Sequence, residues 1–76
     1  MALVDIHLVE GVFDADQKAR ITKGVTDTLV ACGGAAMRGV TWVRIHEMAD
    51  GDWSIGGRPM TAADLKSLTE RGGPNA

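Results

Sequence analysis

Leu3, Asp5, His7 and Val9 alternate with Val4, Ile6 and Leu8 at the start of the chain, and the second set is wholly apolar. Alternation of period two with frequent β-branched residues predicts a strand over 3–9, ended by Glu10-Gly11. The period then changes. Ile21, Val25, Leu29 and Cys32 recur at helical spacing, while Lys18, Lys23 and Asp27 lie off that stripe. A helix is expected over 16–31, N-capped by Asp14 or Asp16 and stopped by Gly33-Gly34. Cys32, at the end of the stripe, is expected to be a buried core residue and not a nucleophile. Gly24 inside the helix costs about 1 kcal/mol against alanine. It reads either as a tolerated entropy loss or as a point of close packing.

After a loop over 33–39, residues 40–47 return to alternation. Val43 and Ile45 share one face of this second strand, and Trp42, Arg44 and His46 share the other. Strand, helix, strand is a crossover unit, which makes the two strands parallel and the connection right-handed. Asp50-Gly51 marks a turn, Trp53-Ser54-Ile55 a short strand and Gly56-Gly57 a second turn. Thr61 and Asp64 resemble a capping box ahead of Leu65 and Leu68, so a helix over 62–71 is expected, stopped by Gly72-Gly73-Pro74, with the last residues frayed. The expected fold class is α/β (α+β): a small β-α-β subunit with parallel strands, then a short C-terminal hairpin and helix, in a single domain over 1–76.

A chain of 76 residues and 8.0 kDa has room for one domain but buries too small a fraction of its surface to be comfortably stable alone. One cysteine, Cys32, offers neither an internal disulfide nor a zinc cluster. Oligomerisation is the remaining common remedy. A net charge of -2 and a pI near 5.5 argue against a nucleic-acid-binding surface. No apolar run approaches the roughly 18 residues of a membrane span, and no signal-peptide succession opens the chain. The expectation is a cytoplasmic, self-associating protein with neither nucleic acid nor membrane as partner.

One helix covers one face of a two-stranded sheet. The other face is expected to carry Leu3, Asp5, His7, Val9, Trp42, Arg44 and His46, and bulky apolar groups mixed with ionisable ones read as an interface or a site. Ser54 and Ser67 sit in no nucleophile-elbow pattern, and 51–57 holds no phosphate-loop motif. His7 and His46 alone are a weak metal signal and read first as structural or interface groups; no metal and no cofactor is expected. Trp42 and Trp53 fit either interface anchors or walls of an apolar pocket, and both descriptions hold if the pocket lies between subunits.

Ile6-His7-Leu8-Val9-Glu10-Gly11, Asp16-Gln17-Lys18, Glu47-Met48-Ala49 and Trp53-Ser54-Ile55-Gly56-Gly57, in that order, resemble the 4-oxalocrotonate tautomerase family of the tautomerase superfamily. The resemblance covers 2–57 and leaves 58–76 as a C-terminal extension. It implies β-α-β subunits paired into dimers, usually three dimers in a hexamer. It also implies proton transfer on small enolisable keto acids or unsaturated acids by the amine of an N-terminal proline exposed when the initiator methionine is removed, with arginines on the substrate oxygens and an aromatic wall. This chain departs from the pattern: Ala2 follows Met1 where the proline is expected, Val12 stands for one arginine and Trp42 for another. The site implied here is therefore the Ala2 amine as base and acid, Arg44 on a substrate oxygen, and Trp42, Trp53 and Arg38 as substrate-binding residues, with Arg58 a weaker loop candidate. A non-catalytic scaffold or ligand-binding subunit is the alternative. Hydration or dehalogenation of unsaturated acids is a third possibility, for which no water-activating residue stands out.

Overall fold

A computed structural model describes residues 1–70. Strand β1 spans Ala2–Val9, helix α1 Ala15–Gly33, a 3-10 helix Ala35–Val40, strand β2 Thr41–Met48, strands β3 and β4 Trp53–Ile55 and Arg58–Met60, and helix α2 Ala62–Glu70. β1 and β2 pair as a parallel two-stranded sheet joined by the α1 crossover, and β3 and β4 form a separate antiparallel hairpin. This is the expected α+β arrangement. Arg71 and the Gly72-Gly73-Pro74 stop lie outside the described residues.

Two compact units share the strands: Met1–Ile6 with Phe13–His46, and His7–Val12 with the described residues from Glu47. In the first, α1 begins where Asp14 accepts a bond from the Gln17 amide (2.8 Å) and the Gln17 side chain accepts one from the Asp14 amide (2.9 Å). This reciprocal capping box satisfies two otherwise orphaned N–H groups and selects Asp14 over Asp16 as the cap. Ile21, Val25 and Leu29 are half-buried along one stripe, but Cys32 is exposed. The expectation of a buried cysteine is corrected: helical periodicity identifies a face and not how far along the helix that face is covered. A Cβ on Gly24 would meet no described atom within 4 Å, so close packing among the described residues is not the reason for that glycine.

The expected loop over 33–39 is instead largely a 3-10 helix. A Cβ on Gly33 would stand 2.7 Å from Met37 Cγ; glycine therefore lets the Met37 side chain fold back over the end of α1. The Met37 amide bonds to the Gly34 carbonyl (3.0 Å), and the Thr41 hydroxyl donates to the Met37 carbonyl (2.7 Å). Those bonds hold the turn together as it enters β2.

In the second unit β1 ends in a turn. The Glu10 amide bonds to the Met48 carbonyl (2.8 Å), the Val12 amide to the Val9 carbonyl (3.2 Å), and Gly11 supplies the positive φ of 91° that the reversal needs. Trp53 pairs with Met60 and Ile55 with Arg58 across the hairpin, whose turn is Gly56-Gly57. α2 starts at a second capping box: the Thr61 amide donates to Asp64 Oδ2 (3.0 Å) and the Asp64 amide to Thr61 Oγ1 (3.1 Å). The Thr61 amide, and after it the Thr61 side chain, lower the Asp64 pKa because a hydrogen bond to the carboxylate favours its charged form.

Val9 and Met60 are the buried hydrophobic residues among those described, at 2% and 7% exposure. Val9 was expected on the open mixed face; its burial corrects that, since this end of β1 belongs to the compact unit built with the C-terminal segment. No described residue of α1 or α2 is fully buried. No helix among the described residues is long and apolar enough to cross a membrane.

Candidate active site

Alternation along β1 and β2 puts Leu3 and Asp5 on the same exposed side as Trp42 and Arg44, while Val4, Ile6, Val43 and Ile45 are half-buried. Parallel pairing of the strands then joins residues far apart in sequence. Arg44 Nε donates to Asp5 Oδ1 at 2.8 Å and Nη2 donates to Oδ2 at 3.1 Å, a two-pronged ion pair. His46 Nε2 lies 3.2 Å from the same Oδ1.

The Arg44 guanidinium beside it, and after that His46, hold the Asp5 carboxyl at about 2, and the same contact raises the Arg44 pKa. Both partners are substantially exposed, so the pair orients the guanidinium more than it stabilises the fold. The sign follows from the lowered pKa. The contribution is complete above the unfolded aspartate value of about 3.9 and fades as the pH falls through about 2. Acid titrations followed by circular dichroism should therefore show Asp5→Asn losing less stability than the parent across that window. Parallel curves would contradict it.

A cleft of about 280 Å³ opens next to this pair, lined by Met1, Ala2, Leu3, Trp42 and Arg44. Its walls are mainly hydrocarbon and indole, and Arg44 carries the one ionisable side chain among these lining residues. Trp42 is 60% exposed and Leu3 54%, so two large apolar side chains stand open in the cleft that Arg44 also lines.

Three residues expected to act together, Ala2, Trp42 and Arg44, thus share one cleft. Arg38 does not line it: its Nη2 donates to Asp27 Oδ1 at 2.7 Å, and Asp27 also binds Lys23 Nζ at 2.7 Å. Lys23 and then Arg38 lower the Asp27 pKa. Trp53 lies half-buried on β3 in the other unit, and Arg58 opens β4. Asp5 is the residue that sequence reasoning left without a role. Its signal was available, because Asp5 and Arg44 occupy the same face of adjacent strands, but the register that makes them partners is a property of the folded sheet. Among the described residues no group of three or more His, Cys, Asp or Glu is placed to hold a metal ion.

The family model for tautomerase enzymes matches residues 3–63, well over half of the chain. It begins one residue after Ala2 and runs through the hairpin into α2. No curated protein and no solved structure shows a significant match.

Proposed function

Because this chain belongs to the tautomerase family, we propose that it moves a proton within a small enolisable keto acid or unsaturated acid, using the amine that Ala2 presents once Met1 is removed. The observation that carries the proposal is the shared cleft of Ala2, Trp42 and Arg44. An α-amino group starts near a pKa of about 7.7–8.0, and apolar walls favour its neutral, basic form. The neutral amine takes the enol hydroxyl proton, and the resulting ammonium returns a proton to the substrate carbon, giving the keto form with no net change in the enzyme. Arg44 supports the developing charge on the substrate oxygen through N–H groups that Asp5 leaves unengaged, since neither Asp5 bond uses Nη1. Trp42 supplies a flat apolar wall, and we assign Trp53 and Arg38 to substrate binding in the assembled protein.

Family membership supports self-association in general, and the sparse burial of the chain agrees with it. A dimer-based hexamer, a cytoplasmic location and one functional domain over 1–76 belong to the same proposal. So does an amine chemistry altered by the primary amine of Ala2 in place of proline.

Arg44→Ala should lower kcat/KM for ketonisation of phenylenolpyruvate by about tenfold, the value of one charge-assisted hydrogen bond made in the transition state. An unchanged kcat/KM removes Arg44 from the mechanism. A second reading, a ligand-binding subunit without turnover, draws on the Asp5 ion pair that already engages Arg44. Strong turnover by the purified single-chain assembly eliminates it.

A further inference from the structure

We propose that Asp5 sets the charge specificity of the cleft: by engaging Nε and Nη2 of Arg44 it leaves a neutral pair beside the apolar walls, so the cleft favours a carbonyl compound with a single carboxylate on an apolar body and disfavours a dicarboxylate. This inference rests on the proposed function and narrows its substrate class.

A free guanidinium presents a planar fork that matches a carboxylate in two-pronged fashion. In this protein that fork faces Asp5, at 2.8 and 3.1 Å. Asp5 takes two of the five guanidinium N–H groups, so one incoming carboxylate can still use the remaining Nη1/Nη2 edge, while the Asp5 charge offsets much of the attraction and no second side-chain cation among the lining residues is left for a second carboxylate. His46 contacts the same Asp5 oxygen, a second group engaging that carboxylate. The other lining residues are Met1, Ala2, Leu3 and Trp42, none of which offers a side-chain donor aimed at carboxylate chemistry except the indole N–H. A second substrate carboxylate placed against Leu3 and Trp42 would lose hydration without gaining a partner, which is unfavourable. An aromatic or branched apolar body in the same place gains contact with the indole face. Because the Arg44 contact keeps Asp5 ionised far below neutral pH, the pair persists under ordinary working conditions.

Two probes of nearly the same shape test this: phenylpyruvate, a monoanion, and 4-carboxyphenylpyruvate, a dianion. Calorimetric binding at neutral pH and low salt reads affinity without requiring turnover, and enol–keto kinetics on the same pair read KM and kcat separately. The parent protein should bind the monoanion about tenfold more tightly or better, the scale of one unmatched charge contact. Asp5→Asn, which leaves Arg44 uncompensated, should bring the dianion close to the monoanion, mainly through KM, and Asp5→Glu should restore the parent preference. Equal affinities in the parent, no binding of either probe, or an Asp5→Asn protein with the parent's ratio each overturn the role of Asp5. The parent ratio needs no variant and stands even if Asp5→Asn fails to fold. A parent that shows the binding preference but converts neither probe supports the charge assignment and sinks the proposed proton transfer; one that converts both with equal KM does the reverse.

Discussion

Protein that keeps Met1 should turn over phenylenolpyruvate about 10²–10⁴-fold more slowly than protein beginning at Ala2, the range that a positioned general base contributes. The loss should fall on kcat. With Met1 retained, the Ala2 nitrogen is an amide without basicity, and the only α-amine moves one residue, about 3.3 Å, along the strand direction. A general base must lie within about 2.6–3.2 Å of the proton it takes, so that displacement alone removes it from reach. KM should change little, because Trp42 and Arg44 still line the cleft. The two forms differ by one methionine and are distinguished by intact mass. Equal kcat for both forms would take the amine out of the mechanism.

Met60→Ala should be the most damaging conservative change to stability, at about 2–3 kcal/mol, within the usual range for truncating a buried aliphatic side chain. Met60 is one of two buried hydrophobic residues among those described. It also joins several pieces of the second unit: it pairs with Trp53 across the hairpin, and its carbonyl accepts from the Gly51 amide at 3.1 Å. Against a total stability of roughly 0.05–0.15 kcal/mol per residue, the loss is a large fraction. Melting at fixed protein concentration should shift down by roughly 8–24 °C. Met60→Leu, which nearly conserves volume, should stay close to the parent. A Met60→Ala protein that melts with the parent would show that the hairpin unit is held by something other than this side chain.

Much of the fold is legible in local pattern. The alternation of 3–9 and 40–47 identifies both strands to within one residue at each end, and their faces except at Val9. Thr61 and Asp64 announce α2 because a capping box is a contact between residues three apart. The start of α1 stays open between Asp14 and Asp16 until Gln17 is seen to return the bond to Asp14. Features that depend on distant neighbours are not legible in this way. The 3-10 helix over Ala35–Val40 brings Met37 against Gly33, a contact that periodicity does not register. The burial of Val9 depends on the C-terminal segment, and the exposure of Cys32 on where the cover of α1 ends. For the site, Ala2, Trp42 and Arg44 follow from family resemblance and face assignment. The role of Asp5 needs the register of two parallel strands, which no spacing within either strand contains.

Catalytic proton transfer at this cleft is read most simply from the rate of phenylenolpyruvate ketonisation by protein whose intact mass shows that Met1 is absent. That rate should be saturable, proportional to protein concentration and above the buffer-catalysed background. A rate indistinguishable from that background, with the protein folded and of the stated mass, would contradict it.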